Sequence, residues 1–438
     1  MPVVQAQCHE GHRSGGLWQR SLVPLVVLFL VAGCGTRTPS QQPAAGGSAP
    51  QAGSAPAASA QNQPARPAQP QQGPPEAKVN IGYSGPLSGG AAIYGQNTLN
   101  GLQMAADEIN KSGGINVGGK RYAINLVPLD DKYLPNETAT NARRLLEQYE
   151  TPIIFTPHSG GVFAMQEFNE QDGFIIAAYT SEPRVTQRGN KLTLRIPAPY
   201  DAYAVPYSKA VMEAFGKKVA LVPGTHQYAK DWTAVFTKAW ESLGGTVTGN
   251  FAANYNTETD FTPFVTKALA TNPDVLFVGG PSQPTALVIK TAREQGFKGG
   301  FVVMDQAKFE EMEEIVPIEM LNGAVGLMPL YRYPGPATQQ FVEQYKARFG
   351  KRPTYEQAQH YQAMYLVAKA LERAGTVTDV EKIMASFSDA IQQLPRDKVP
   401  IIWRKLNDKG GIVGEVIGVM VKDGKYDQQI PIPVQESY

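Results

Sequence analysis

Cysteine is scarce in this chain of 438 residues, and the two present, Cys8 and Cys34, both lie near its start. A disulfide framework or a cysteine-based zinc site in the remaining body is thereby excluded. Histidine is almost as thin. His9 and His12 fall in the first dozen residues, and His158, His226 and His360 show no HExxH or similar spacing. Charge of one sign is also missing. The 40 basic and 39 acidic side chains leave a formal net charge of +1, which gives no electrostatic reason for a nucleic acid or an acidic surface as partner. Gly114 to Lys120 matches GxxxxGK. Arg121, however, stands where a P-loop needs its magnesium-binding hydroxyl, and the stretch follows a helical pattern and precedes a strand, the reverse of the required context. A glycine-rich helix-to-strand turn is expected there. No GxSxG elbow occurs; Gly82-Tyr83-Ser84-Gly85 comes closest but lacks the spacing. What remains is a hydrophobic fraction of 42%, ample for a core, and a length that allows two or three domains.

The first part of the chain does not read as fold. Arg13 and Arg20 precede an apolar run from Leu22 to Ala32, broken only by Pro24. Such a run is too short to span a hydrocarbon core, which needs roughly 20 residues. A basic flank, a short apolar stretch and small residues after it read as a secretory signal over 1–33. Its end, Val31-Ala32-Gly33-Cys34, resembles the lipobox of bacterial lipoproteins. In that reading Cys34 is the first mature residue and carries the lipid anchor; the alternative is an ordinary signal peptide with a chance cysteine. Beyond Cys34, residues 35–77 are mostly Pro, Ala, Gln, Gly and Ser, with no aromatic side chain. Such a segment cannot bury enough surface to offset its ordering entropy. Residues 34–77 therefore read as a flexible tether.

From residue 78 the pattern alternates between strand and helix. Lys78–Tyr83 alternates and ends in a Ser-Gly-Pro turn. Leu99, Leu102, Ala106 and Ile109 recur at three and four residues, a helix face that Ser112-Gly113-Gly114 stops. Strands follow at 122–129, 153–155, 174–178 and 192–194, with a helix over 136–149 between the first two. A second series places strands at 218–222, 247–253, 275–278 and 301–304 and helices at 232–243, 261–270 and 286–295. Strand-like pieces at 325–330 and 412–421, and helices starting at Ala337 and Tyr355, remain to be shared. Strands apolar throughout, separated by amphipathic helices, indicate parallel sheets covered on both faces. The fold class is thus α/β, with two doubly wound parallel-sheet lobes. Ligands in such sheets sit beyond the C-terminal strand ends, so two facing lobes make a cleft.

Several residues at those strand ends are candidates. Asp305 follows the apolar strand Phe301–Met304, where a carboxylate can pair with a ligand cation or act as a helix N-cap. Ser159, after the strand Ile153–Phe155, stands at the start of a helical pattern where a hydroxyl and exposed amides favour an anion, or it caps the helix and nothing more. Tyr179-Thr180-Ser181 offers similar groups at an adjacent strand end. Two such sites on one lobe, facing an acid on the other, suit a zwitterion. Asp130-Asp131, a lone acidic pair without histidine neighbours, reads as a strand-end hydrogen-bond acceptor rather than a metal pair. An enzyme on two lobes would need a nucleophile–base pair or a cofactor motif, and neither appears; a ligand-sensing domain would need a separate signalling partner.

The body resembles the type I periplasmic binding proteins, specifically the branched-chain amino acid class of solute receptors for ABC importers. The resemblance rests on Ile81–Ser88, Tyr94-Gly95, Gly101 through Asn110, Gly113–Ile115, Asp130-Asp131, Thr186–Arg195, Asp260–Thr262 and Phe277–Gly280 in that order. It covers residues 78–438 and implies three crossing segments, near 197–201, near 323–326 and before Trp403. Lobe 1 would then comprise 78–197 plus 326–395, and lobe 2 would comprise 198–325 plus 396–438. By the resemblance, Ser159, Tyr179 and Ser181 bind an α-carboxylate, Asp305 binds the α-ammonium, and Tyr94 and Tyr228 are aromatic pocket positions. Pro281 stands where the family's amino acid receptors often place a tyrosine. Asp305 replaces a longer glutamate, and Tyr133 and His158 occupy the positions of a disulfide found in some members. The resemblance implies a lipid-anchored extracytoplasmic monomer that hands an amino acid or related solute, such as a short amide, urea or an aromatic acid, to importer permease subunits. No cofactor, metal or nucleic acid is expected.

Overall fold

The computed structural model describes residues 73–434. The secretory signal, Cys34 and nearly all of the tether lie outside the described residues. The fold starts slightly earlier than expected: the Glu76 amide bonds to the Arg121 carbonyl at 3.0 Å, and Ala77 already belongs to the first strand.

The first lobe runs through β1 (Ala77–Gly85), α1 (Ala92–Lys111), β2 (Ile115–Val117), β3 (Lys120–Asp130), α2 (Pro135–Tyr149) and β4 (Ile153–Thr156). It continues with α3 (Ser159–Gln166), α4 (Asn169–Asp172), β5 (Ile175–Ala178), α5 (Arg184–Gln187) and β6 (Thr193–Arg195). Its six-stranded sheet has the order β2-β3-β1-β4-β5-β6 and is parallel except for β2, which pairs antiparallel with β3. The stretch that matches GxxxxGK is therefore a tight hairpin, not a helix-to-strand turn. Gly118 and Gly119 link β2 to β3 with φ of 60° and 87°, the left-handed pair that a two-residue hairpin turn requires.

The second lobe contains α6 (Asp201–Phe215), β7 (Lys218–Pro223), α7 (Gln227–Ser242), β8 (Thr246–Asn250), α8 (Thr262–Leu269) and β9 (Val275–Gly279). After these come α9 (Ser282–Glu294), β10 (Gly300–Val303), α10 (Phe309–Met312) and β11 (Ala324–Leu327). The chain then returns to the first lobe as α11 (Pro336–Phe349), α12 (Tyr355–Ala374), α13 (Val380–Gln392) and the hairpin β12 (Trp403–Leu406) and β13 (Ile412–Gly414). It finishes on the second lobe with β14 (Ile417–Lys422) and β15 (Lys425–Pro431), giving a seven-stranded sheet of order β15-β14-β11-β10-β9-β7-β8. The two-layered burial expected of apolar strands is present: every residue of β4, β5, β9 and β10 is buried.

Two expected boundaries move. The stretch 323–326 is not a crossing, because β11 is held between β10 and β14 in the second sheet; the crossing follows at 328–335. Residues 396–414 stay with the first lobe, since Gly411 bridges Arg195 at the end of β6 and the hairpin packs on α13. The third crossing is accordingly 415–416, while the first, at 196–200, lies close to its expected place. Helix α6 is absent from the sequence pattern because Pro206 sits inside it, and an interior proline reads as a break. Its buried stripe, Tyr203, Tyr207 and Val211, still has the four-residue spacing of a helix face.

Close backbone approach explains two glycines of the shared pattern. A Cβ on Gly95 would fall 1.6 Å from the Pro86 carbonyl oxygen, and one on Gly101 would fall 2.4 Å from that of Gln357. The second contact lets α12 lie along α1, so it fixes where α12 delivers its first turn.

Candidate functional site

The C-terminal ends of the two sets of strands face each other across a small cavity. The first lobe contributes Tyr94 from α1, Tyr133 after β3, Pro157 after β4, and Tyr179, Thr180 and Ser181 after β5. The second lobe contributes Tyr228 from α7 and Asp305, Gln306 and Lys308 after β10, and Glu356 enters from the first turn of α12. The remaining room is about 20 Å³, space for a water or two.

Asp305 is the centre of the arrangement. Its Oδ2 accepts a hydrogen bond from Ser181 Oγ at 2.7 Å, which joins the two lobes. Its Oδ1 accepts from the Tyr228 hydroxyl and from Trp232 Nε1, the latter at 2.8 Å. Ser181 Oγ and the Tyr228 hydroxyl are also 2.7 Å apart. Burial, reinforced by the Asp305 charge, pushes the Tyr228 phenol well above its ordinary range, so it remains a donor. A carboxylate has about four acceptor positions; three are used here.

Lys308 lies one turn beyond. Its ammonium donates to the carbonyls of Asp305 and Gln306 and sits 2.6 Å from Glu356 Oε1. Both side chains are almost fully buried, at 3% and 1% exposure. This pair also crosses between lobes. Gln306 makes a third crossing: its Nε2 donates to the Tyr133 hydroxyl at 2.6 Å, and its Oε1 lies 3.1 Å from His226 Nε2. Burial pushes His226 down to about 3. The ring is therefore neutral, and its Nε2–H donates to the amide oxygen.

Helix α10 adds two carboxyls at the same seam. Glu310 Oε1 accepts from the Leu330 amide at 3.0 Å, inside the second crossing segment. Glu311 accepts from Asn97 of α1. Burial, with repulsion from Glu356, raises Glu310 to about 8 and Glu311 to about 7.

Of the residues singled out in the sequence, Tyr94, Tyr179, Ser181, Tyr228 and Asp305 are brought together around this cavity. The Tyr94 hydroxyl donates to the Pro157 carbonyl at 2.7 Å, and the Tyr179 ring packs 4.4 Å from His360. Ser159 and Pro281 are not in the lining. Ser159 is the first residue of α3, fully buried, and its hydroxyl has no hydrogen-bond partner among the described residues. Pro281 is the N-cap residue of α9. Tyr133 and His158, at the disulfide positions of the resemblance, pack ring against ring at 4.8 Å. His158 is further fixed by Asp131. The imidazole Nδ1 accepts from the Gly161 amide at 3.0 Å, so its proton is on Nε2, which donates to Asp131 Oδ2 at 2.9 Å. Asp131 also accepts from Ser84, Thr138 and the Tyr133 amide. It is the buried strand-end acceptor that the sequence suggested, and the described residues hold no group of three or more potential metal ligands.

Lys308, Gln306, Glu356 and Trp232 were missed. Lys308 carried a signal, a cation three residues after the strand-end acid. Glu356 carried a weaker one, since Thr354 and Gln357 form the capping box that starts α12. Nothing local placed α12 opposite β10.

Comparison with known proteins agrees with this geometry. The family model described as periplasmic binding protein matches residues 78–402. An amino acid binding protein of Pseudomonas aeruginosa is 29% identical over 240 residues, 54% of this chain and 63% of that protein. A Leu/Ile/Val-binding protein of Rhizobium johnstonii is 29% identical over 206 residues, 47% of this chain and 55% of that protein. The chain thus spans less than two thirds of either relative. The crystal structure of a leucine-binding protein from Thermotoga maritima superposes with a TM-score of 0.68 at 25% identity, covering 81% of this chain and 99% of that one. The family match takes in the first sheet, five of the seven strands of the second and the first two crossings, and on that extent the chain belongs to the periplasmic binding protein family.

Proposed function

We propose that the protein is an extracytoplasmic solute receptor of an ABC importer and that it binds an amino-acid-like solute between its lobes by hinge closure. The observation that carries this reading is Asp305, a buried carboxylate on the second lobe that is hydrogen-bonded across the cleft to Ser181 on the first. Its unused acceptor position, and the one held by Ser181, suit a ligand ammonium. On the first lobe the end of β5, Tyr179 to Ser181, lines the same cavity and offers backbone and hydroxyl groups to the ligand's carboxylate. In this reading the solute docks first on the Tyr179–Ser181 side, without Ser159, which the fold holds outside the cavity lining. The second lobe then turns about the three crossings and brings Asp305 onto the ammonium. Closure is a population shift set by the ligand's differential affinity for the two states, with no chemical step.

No described helix is long and apolar enough to cross a membrane. In this reading the attachment is Cys34, lipidated after signal cleavage, with the Pro/Ala/Gln-rich segment as tether and importer permease subunits as the receiving partner. The test is a thermal shift across amino acids, short amides, urea and aromatic acids. A ligand at 100 times its Kd adds about 2.7 kcal/mol of stability, so the amino acids that bind should raise the melting temperature clearly. A flat response to the whole panel would overturn the reading.

A further inference from the structure

The inner cavity has a feature that its relatives' names do not suggest. No leucine, isoleucine, valine or methionine lines it. Its walls are tyrosines, prolines and the polar group Thr180, Ser181, Asp305, Gln306, Lys308 and Glu356. A branched aliphatic side chain would meet only Pro157, Pro197 and tyrosine rings as apolar neighbours there.

A second cavity opens from the mouth of the cleft. It measures about 530 Å³ and shares Tyr133 and Tyr228 with the inner one. These two rings, from opposite lobes, are thus the common wall. Beside them the Gln306 amide is bonded to Tyr133 and His226. Polar side chains make up most of the outer cavity's lining, although the surface they leave open to it is mainly apolar. Lys132, His158, Thr225, His226, Asn254 and Asn256 line it, and leucine appears once, as Leu134. Lys132 is the one lysine or arginine in this lining, and no carboxylate joins it. Asn256 ties the rim together across the lobes, with its Oδ1 accepting from the Ala91 amide at 3.2 Å and its Nδ2 donating to the Lys132 carbonyl at 3.3 Å.

We infer that the outer cavity is a subsite for the ligand's side chain, and that the solute is an α-amino acid whose side chain ends in an amide or a carboxylate. The inference rests on the proposed placement of the ammonium at Asp305. The side chain passes between Tyr133 and Tyr228, takes over the hydrogen bonds now made by the Gln306 amide, and ends among Asn254, Thr225 and Lys132. A terminal carboxylate gains Lys132, and a terminal amide gains the neutral hydrogen-bonding groups.

Calorimetric titration with L-alanine, L-leucine, L-glutamine and γ-L-glutamylglycine tests this. Glutamine and γ-glutamylglycine should bind at least tenfold more tightly than leucine. Thr225→Trp, which fills the outer cavity from a half-buried loop position, should weaken both at least tenfold and leave alanine within twofold. Thr257→Trp, on the exposed rim, should act in the same direction if the first variant folds poorly. Lys132→Gln should weaken γ-glutamylglycine more than glutamine. Leucine binding as tightly as glutamine, or equal affinities in the blocked and unblocked proteins, would overturn the subsite. If Asp305→Asn still weakens amino acid binding at least tenfold in that case, the head-group placement survives and only the side-chain subsite fails. If no amino acid binds, both fail.

Discussion

Replacing Asp305 by asparagine isolates one charge with almost no change of shape. In the closed structure Oδ1 accepts from Tyr228 and Trp232, and Oδ2 accepts from Ser181. An asparagine with its oxygen at the Oδ1 position keeps the first two bonds. Its amide nitrogen then faces Ser181 Oγ, a hydroxyl that can accept from it while turning its own proton to the Tyr228 oxygen 2.7 Å away. The fold should therefore lose no more than about 1 kcal/mol, the net value of one ordinary hydrogen bond. A ligand ammonium instead loses a charge-assisted bond, about 1.5–3 kcal/mol, which corresponds to roughly a 10- to 150-fold weaker Kd at 1.4 kcal/mol per tenfold. Asp305→Ala behaves differently, because it removes the acceptor of three buried donors; Ser181 and Tyr228 can pair with each other, which leaves two stranded at about 1–3 kcal/mol each and should depress the melting temperature as well as binding. Calorimetric titration with a ligand that stabilises the native protein, paired with urea melts of both variants, separates the two effects. An asparagine variant that folds normally and binds within twofold of wild type would refute the assignment of Asp305 as the ammonium partner.

Other expectations follow from the same seam. Glu310 and Glu311 hold their protons more tightly in the fold than in the unfolded chain, so the folded state carries more protons between about pH 4.5 and 8. Their contribution to stability is then greatest in acid and is lost as pH rises through 7 to 8. The melting temperature should fall between about pH 5 and 8 and level off above, and Glu310→Gln should flatten that slope; an unchanged slope would remove Glu310 from the account. Lys308→Met leaves Glu356 buried beside no cation and should cost about 3–5 kcal/mol, while adding Glu356→Leu should recover much of it; a double-mutant cycle with no coupling would refute the pair. Gly101→Ala drives a Cβ against the Gln357 carbonyl and should destabilise by about 1–3 kcal/mol, read from the urea midpoint. An unaltered midpoint would mean that α1 and α12 part without strain.

Much of the second lobe's β-α order and most strand positions were legible because parallel strands covered on both faces are short apolar runs, and such runs stand out from amphipathic helices. Helix α6 was not, because Pro206 hides a regular stripe. The crossing at 323–326 was misplaced because the resemblance put it there, whereas β11 (Ala324–Leu327) is a core strand in which a Cβ on Gly326 would meet Phe309 at 3.0 Å. Asp305 and Ser181 could be named because each follows a strand end, a position that local pattern fixes, whereas Tyr228 came only from the resemblance.

The chain's own order of residues thus determined two α/β lobes, the absence of a thiol framework from the body, and which strand ends carry polar groups, since each depends on neighbours a few residues away. Tertiary structure alone decided which ends meet. Lys308 and Glu356 are 48 positions apart, and Ser181 and Asp305 are 124 apart. Nothing in either local sequence encodes the distance between them, because the path of α12 along α1 and the turns at the three crossings set it. The same packing left Ser159 out of the cavity lining and turned Tyr133, met first as a missing cysteine, into a wall of the cleft.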